Sequence, residues 1–233
     1  MLTVGLDVHF DKSQLCVLDA NGKVLKEQQV RGHWEEVAGE LGRLSEPFRI
    51  CYEASLGYGY LYERLGKLPR ARQVVVAHPG QLRLIFKAKR KNDRVDAHKL
   101  ATLLYLDQVP QVHVPQQDVR SWRALITWRQ KLIARRVMSK NQLRALLKTC
   151  GLVPRKGKKL WSRAGLAWLQ EQALPTTYEA LRRDMLLEEM REVNQRLVRV
   201  EEALDEIAGQ HPGVQLLRTI PGVGQRTAEA FVA

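Results

Sequence analysis

The chain has 233 residues, a formal net charge of +13 and a sequence pI near 9.9. With 45% apolar and 27% charged residues, its composition is typical of one or two globular domains and excludes a disordered chain. Three scattered cysteines without a CxxC pair exclude a disulfide scaffold and indicate a reduced, cytosolic compartment.

The excess of basic residues favours nucleic acid as a partner, with a basic surface kept for solubility as the alternative. No run of about 20 apolar residues occurs, so we expect no membrane partner. The first ten residues lack a basic segment, so we also expect no signal peptide.

The first 115 residues alternate between strand and helix patterns. Apolar and β-branched runs predict strands at 2–8, 13–19, 23–30, 48–53 and 73–77, and apolar spacing predicts helices at 33–44, 58–68 and 93–106. The Asn21-Gly22 pair favours a type I′ hairpin turn between the second and third strands. This order predicts an α/β domain over 1–115, with a mixed sheet in which the fourth strand lies beside the first.

Residues 116–176 carry the strongest basic signal. The stretch 119–170 holds fourteen Lys or Arg and no Asp or Glu, and it is predicted as a long helix, 118–149, followed by a basic loop, 151–160. We interpret 116–176 as a helical nucleic-acid-binding region whose basic side chains hold phosphates without reading sequence. The candidate contacts, including those near residue 90, are Lys87, Lys89, Arg90, Lys91, Arg94, Arg129, Arg136, Lys140, Arg144, Arg155, Lys156, Lys158 and Lys159.

Four of the five tryptophans lie in the same basic stretch, at Trp122, Trp128, Trp161 and Trp168. They have two interpretations: packing in a hydrophobic core, or stacking on unpaired RNA bases.

A heptad pattern follows over 177–210. Apolar residues repeat at steps of four and three from Leu186 to Ile207, which predicts a coiled-coil helix, 178–208. We interpret this helix as the contact of a homo-oligomer, a dimer or tetramer, through 186–207; packing on its own chain is the alternative. Residues 211–233 contain a Pro-Gly-Val-Gly turn typical of a helix-hairpin-helix, and we expect this segment to stop before it forms its own core.

Four carboxylates are predicted to converge. Asp7 and Glu53 end strands that lie side by side, and Asp93 and Asp96 share one face of a helix. Such a cluster requires cations, and its oxygen ligands suit Mg²⁺ or Mn²⁺, most simply as two ions at a phosphodiester. Taken singly, these carboxylates could instead cap a turn, pair with an arginine or complement a helix dipole. His9, His98 and His211 lack ligand spacing, and no chemistry is assigned to them.

Three blocks resemble the DEDD transposases of the insertion-sequence-110 type, the bridge-RNA-guided recombinases. They are GLDVHFDKSQLCVLDANGKV, CYEASLGYGYLYERL and KAKRKNDRVDAHKLATLL, and the likeness continues to LRTIPGVGQRTAEA. The resemblance implies an RNase H-like, RuvC-type domain with Asp7, Glu53, Asp93 and Asp96 as its catalytic, metal-binding tetrad. It also implies DNA and a structured guide RNA as partners.

The resemblance further implies a serine nucleophile in a C-terminal transposase domain. No position here matches that nucleophile block, and we expect 211–233 to be the start of a truncated copy of the domain. We therefore expect a metal-dependent transposase chain that is incomplete for strand exchange.

Three other functions stay open. They are a stand-alone nuclease of the Holliday-junction resolvase type, a non-catalytic nucleic-acid-binding module and, with less support, an ATPase of the related actin-like fold. The last lacks a second glycine-rich phosphate block.

Overall fold

The computed structural model describes residues 1–85, 92–153 and 157–233, with the side chain of Lys158 left out. It divides into two compact units, Met1–Pro115 and Gln116–Ala233. The second unit spans all three regions proposed beyond residue 115, whose separate roles stay a prediction.

The first unit is built on one five-stranded mixed sheet with the order β3-β2-β1-β4-β5. Its strands are β1 (Leu2–Val8), β2 (Lys12–Leu18), β3 (Val24–Arg31), β4 (Phe48–Glu53) and β5 (Ala71–Ala77). β1 pairs with β2 in the antiparallel sense and with β4 in the parallel sense, and β5 extends the parallel half. The predicted mixed sheet is confirmed, including the placement of the fourth strand beside the first.

The turn between β2 and β3 differs from the prediction. A type I′ turn needs positive φ at both central residues, and here only Gly22, at 79°, has it. The Asp19 side chain instead accepts hydrogen bonds from the backbone N–H groups of Asn21 and Lys23, at 2.8 and 2.9 Å. The type I′ assignment was therefore wrong, because an aspartate before the Asn-Gly pair closes a longer loop.

Helices cover both faces of the sheet. They are α1 (Trp34–Gly42), α2 (Tyr58–Gly66), α3 (Pro79–Ile85) and α4 (Asp93–Tyr105). Val4 and Leu6 of β1 pack in one cluster with side chains of α1 and α2. On the opposite face, Cys16 of β2 packs with Ala97 and Ala101 of α4. The helix α3 was not predicted, since its seven residues are too few to show a helical period.

Gly5 sets the distance between β1 and α4. A Cβ atom at Gly5 would lie 2.0 Å from the backbone oxygen of Ala97 and 2.4 Å from the backbone nitrogen of Ala101. No side chain fits at this position, so the helix backbone rests directly on the strand. This contact fixes where the first turn of α4 meets the end of β1.

The second unit is helical. It contains α5 (Gln117–Thr149), a short 3₁₀ turn (Gly157–Trp161), α6 (Arg163–Glu171), α7 (Thr177–Gln210), α8 (Pro212–Arg218) and α9 (Gln225–Val232). A capping box starts α7: the Thr176 hydroxyl accepts from the Glu179 backbone N–H, and the Glu179 carboxylate accepts from the Thr176 backbone N–H. No helix in the described parts of the chain is long and apolar enough to cross a membrane.

The heptad seam of α7 is buried inside its own chain. Leu197 and Val193 pack with Leu132 of α5, and Leu186 and Met190 lie in a cluster that also includes side chains of α5. The assignment of these side chains to an oligomer contact is therefore corrected. The apolar heptad positions of α7 pack against α5 of the same chain, although the rest of the helix surface is charged. Homo-oligomerisation itself stays a prediction.

The last two helices do not lack a core. Val214 of α8 and Ala228 of α9 are fully buried, and they pack with Trp122 of α5 and Leu204 of α7. The expectation that 211–233 stops before it forms a core of its own stays a prediction, and its buried side chains pack in a cluster shared with α5 and α7.

Replacing Gly5 with alanine tests the strand–helix contact. We expect Gly5→Ala to lower the free energy of unfolding by about 1–3 kcal/mol or more, because the new methyl group meets backbone atoms that cannot move aside. The matched control is Gly39→Ala in α1, where nothing lies within 4 Å of a new Cβ. The control is expected to gain about 0.5–1 kcal/mol from helix propensity. Urea titration measures both, and equal effects would contradict the contact.

A second substitution tests the α5–α7 seam. We expect Leu197→Ala to cost about 2–5 kcal/mol through the cavity it leaves. The fall in the thermal midpoint should be the same at protein concentrations tenfold apart, since the lost contact is intramolecular. Val198→Ala, at a neighbouring position that is 55% exposed, is the control with little expected change. A midpoint that depends on concentration only in the unmodified protein would place this seam between subunits.

Candidate active site

The carboxyl ends of β1 and β4 bring two of the predicted carboxylates to the same edge. Leu6 and Tyr52 are the last paired residues of these parallel strands, and Asp7 and Glu53 follow them directly. Side chains alternate along a strand, so Asp7 shares a face with Gly5 and Glu53 shares a face with Cys51. That face is the one covered by α4.

The other two carboxylates lie in the first turn of α4. The helix begins after Asn92, whose side chain accepts a hydrogen bond from the backbone N–H of Arg94 at 3.1 Å. Asp93 and Asp96 follow, in the part of the helix where negative charge is favoured by the helix dipole.

Asp7 and Asp93 meet in a compact cluster together with His9. One ligand atom from each of the three lies within 4.8 Å of the others. The Nε2 atom of His9 is 3.3 Å from Oδ2 of Asp7 and 3.8 Å from Oδ1 of Asp93. Asp7 is only 9% exposed, whereas the side chain of Asp93 is 28% exposed, so the cluster opens to solvent on the helix side.

Lys12 occupies the remaining oxygen of Asp93. Its ammonium group donates a hydrogen bond of 2.8 Å to Oδ2 of Asp93. This hydrogen bond, with the charge of Asp93, raises the pKa of Lys12 above its usual value. A positive side chain thus compensates the carboxylates of the cluster.

Glu53 and Asp96 lie outside this compact group. Asp96 forms an ion pair with Lys99 one turn further along α4, at 3.0 Å. Within the described residues, ligand atoms of Asp7 and Asp93 thus lie close enough together to bind one ion. Glu53 and Asp96 lie on the adjoining β4 and α4.

The donor set suits a divalent cation. Carboxylate oxygens are the ligands that Mg²⁺ and Mn²⁺ prefer, and an imidazole nitrogen is accepted more readily by Mn²⁺ than by Mg²⁺. His9 was missed by the sequence analysis. The available signal was its position two residues after Asp7 at the end of a strand, which places both side chains on one face.

Three of the predicted nucleic-acid contacts pair with a side chain of another element in their own unit. Arg94 donates to Glu27 at 2.6 Å, and Arg129 donates to Glu201 of α7 at 2.7 Å. Arg136 donates to the side-chain oxygen of Asn194, at 3.4 Å.

A cationic cluster lies further along α5. Lys140 and Arg144 each lie 5.1 Å from the ring centre of Trp161, in cation–π geometry. Burial, together with the charges of Arg136 and Arg144, lowers the pKa of Lys140. Lys159, two residues before Trp161, is exposed. Outside the described residues lie Lys87, Lys89, Arg90, Lys91, Arg155 and Lys156, together with the side chain of Lys158.

The tryptophans divide between the two interpretations. Trp122 is 4% exposed in the core shared by α5, α7, α8 and α9, and Trp161 and Trp168 pack against the cluster beneath α6. Core packing therefore accounts for three of them, and Trp128 is 44% exposed.

Comparison with known proteins shows the family. Residues 4–151 match the DEDD transposases of the IS110 type, whose description is transposase. The chain belongs to this family. It is 28% identical over 235 residues to the transposase for insertion sequence element IS1111A of Coxiella burnetii, covering 99% of this chain and 62% of that protein. It is 32% identical over 105 residues to the transposase for insertion sequence element IS1533 of Leptospira borgpetersenii, covering 43% of this chain and 30% of that protein.

The transposase chain therefore spans about three fifths of the length of the Coxiella relative. Among solved structures, RuvC of Thermus thermophilus matches 48% of this chain and all of its own, with 14% sequence identity and a TM-score of 0.33.

The Lys12–Asp93 ion pair makes a measurable prediction for cation binding. A divalent ion that takes Oδ2 of Asp93 must displace the ammonium group, so we expect Lys12→Met to tighten Mn²⁺ binding by about two- to fivefold. Lys26→Met is the control, since Lys26 pairs with Glu40 instead. Isothermal calorimetry measures both affinities. Weaker binding in Lys12→Met would show that the lysine supports the ion rather than competes with it.

Proposed function

We propose that residues 1–115 are the metal-dependent catalytic domain of an insertion-sequence transposase, which cuts and exchanges DNA strands in the prokaryotic cytoplasm. The observation that carries the proposal is the meeting of Asp7 from β1 and Asp93 from α4, with His9, within 4.8 Å. Membership of the DEDD transposase family supports DNA as the substrate.

Asp7, Glu53, Asp93 and Asp96 would hold the divalent ions, Mg²⁺ or Mn²⁺, and two ions suit a tetrad of this size. Bound there, such ions supply activation of the attacking oxygen and stabilisation of the leaving oxygen at a phosphodiester. Lys12, once displaced from Asp93, is placed to contact a substrate phosphate beside the cluster. Asp7 is held by the end of β1 and Asp93 by the start of α4, so the two carboxylates are positioned by the sheet and its covering helix.

The second unit is proposed to bind the nucleic-acid backbone. Lys140 and Arg144 form a cationic pair against the ring of Trp161. Phosphate contacts of this kind carry no sequence information, which fits a protein whose target is selected by base pairing with a structured guide RNA. We assign guide RNA and DNA as partners on this basis and on the family resemblance.

The family resemblance implies a serine nucleophile in a C-terminal transposase domain. We propose that covalent strand exchange uses that serine together with the carboxylate site. We further propose a homo-oligomer, a dimer or tetramer, in which each of two DNA strands is cut by a different copy of the chain. Its contacts would use surfaces of α7 other than the seam with α5.

A structure-selective nuclease is the second candidate. Such an enzyme needs the carboxylates alone, and Asp7 and Asp93 are in place without any serine. A non-catalytic binding module is the outcome if no cation binds at all, even with nucleic acid present.

Cation binding is the first test. We expect Mn²⁺ to bind with saturation, and Asp7→Asn and Asp93→Asn each to weaken it at least tenfold, because each removes a charged ligand. Asp107→Asn is the control: this carboxylate pairs with Arg49 away from the cluster, and asparagine tolerates its positive φ of 54°. Equal binding in all variants, measured by calorimetry with and without DNA, would remove the catalytic proposal.

DNA cleavage then separates the two candidate enzymes. The nuclease cuts branched DNA with Mg²⁺ or Mn²⁺ as this chain alone, and Asp93→Asn abolishes the cutting. The transposase requires the serine domain, so Asp7→Asn in the full-length protein abolishes strand exchange while RNA binding is retained. Undiminished exchange in Asp7→Asn would exclude the carboxylate mechanism.

A further inference from the structure

A second group of metal-ligating side chains lies on the sheet, away from the carboxylate site. Gly5 of β1 pairs in register with Cys16 of β2, and Cys16 pairs with Glu27 of β3. Residues in register on neighbouring strands share a face, so Cys16 and Glu27 lie side by side on the face covered by α4. His98 of α4 projects onto this pair.

The three side chains are close enough to share one ion. Sγ of Cys16 is 3.6 Å from Nδ1 of His98, and the same nitrogen is 3.8 Å from Oε1 of Glu27. Ligand atoms of all three lie within 4.8 Å of one another. With zinc bonds of about 2.3 Å to sulfur and about 2.0–2.1 Å to nitrogen, tetrahedral angles place those two atoms about 3.5 Å apart. The observed Cys16–His98 separation thus matches the edge of a zinc tetrahedron.

We propose that Cys16, Glu27 and His98 form a zinc site, with water in the fourth position. The thiol, imidazole and carboxylate are the three zinc ligand types, and their mixture sets this group apart from the oxygen-rich cluster around Asp7. The proposal goes beyond the transposase function and does not depend on it.

The surroundings support an ion at this position. Cys16 is fully buried, the Glu27 side chain is 17% exposed and the His98 side chain is 46% exposed, so an ion can enter from the helix side. Arg94 donates to Oε2 of Glu27 at 2.6 Å and leaves Oε1 directed at His98. A second contact of this kind orients a ligating carboxylate.

Metal binding would change the protonation of the thiol. Burial raises the pKa of Cys16 to about 11, so without an ion the thiol keeps its proton beside His98. When Zn²⁺ binds, a zinc–sulfur bond forms and the thiol proton leaves to solvent, with no change in oxidation state.

The site would connect β2 and β3 to α4. His98 lies five residues after Asp93 on the same helix, so an ion held at His98 restrains the helix that carries two of the catalytic carboxylates. The ion would therefore hold α4 on the hairpin side of the sheet, next to the Gly5 contact, and its fourth position would stay open to water.

Cobalt spectroscopy tests the site directly. Co²⁺ replaces Zn²⁺ in tetrahedral sites and gives a near-ultraviolet sulfur-to-metal charge-transfer band only when a thiolate is bound. We expect this band on titrating the chain with Co²⁺, and its loss on addition of Zn²⁺. We expect Cys16→Ser to abolish it and His98→Gln to weaken cobalt binding at least tenfold. Cys150→Ser is the matched control, and Asp93→Asn should keep the band although it damages the other cluster.

Each outcome decides the question. A charge-transfer band that survives Cys16→Ser, or is lost in Cys150→Ser, would place the metal elsewhere. Absence of any band in the unmodified chain overturns the proposal. Because Cys16 is in the core, circular dichroism is used to check that the Cys16→Ser variant folds. If that variant unfolds, the His98→Gln variant, at an exposed position, gives an independent result. Failure here leaves Mn²⁺ binding at Asp7 and Asp93 unaffected, so the two proposals fail separately.

Discussion

The contact of α4 with Gly5 is the constraint on which the first unit depends. A helix normally stands off a sheet by the length of two side chains, but here the strand offers none and the helix backbone rests on it. This close approach brings the first turn of α4 to the end of β1, and it is the reason why Asp93 reaches Asp7. The same close packing of α4 on the sheet places His98 over the Cys16–Glu27 pair. One missing side chain therefore sets the geometry of both clusters.

Bringing carboxylates together in this way has an electrostatic cost, and the chain offsets it locally. Asp7 is nearly buried, so its charge is poorly screened by water. Lys12 faces the cluster from the start of β2 and His9 from the turn after β1, and both lie within ion-pair distance of Asp93. A buried cluster of aspartates alone would shift its protons instead, and it would then be a poor ligand for a hard cation.

Much of this was available from the sequence, because the signals were local or followed from strand order. Once β4 was predicted beside β1, Asp7 and Glu53 had to end at the same edge, and the spacing of Asp93 and Asp96 fixed their common face. The position of His98 beside Cys16 and Glu27 was not predictable by spacing. These partners are separated from it in sequence and meet it only through the register of β2 and β3 and the depth of α4. The heptad in α7 gave the right seam but not its partner, because a pattern of apolar positions is satisfied equally by a second chain or by α5.

The two proposed metal sites beside α4 differ in their donor sets, and this difference would let one protein discriminate between metals. Around Asp7 the donors are mostly carboxylate oxygens at a solvent-open edge, which suits a hard cation that keeps part of its water shell and exchanges during turnover. Around Cys16 a buried sulfur and a nitrogen replace two of the oxygens, and the Irving–Williams order then favours zinc strongly over magnesium. Zinc, which binds proteins more tightly, would be retained at the Cys16 site, away from the carboxylates of the proposed catalytic site. The proposed catalytic edge at Asp7 and Asp93 would then be left to the abundant, weakly bound ion, the kind that metal-assisted phosphodiester chemistry uses.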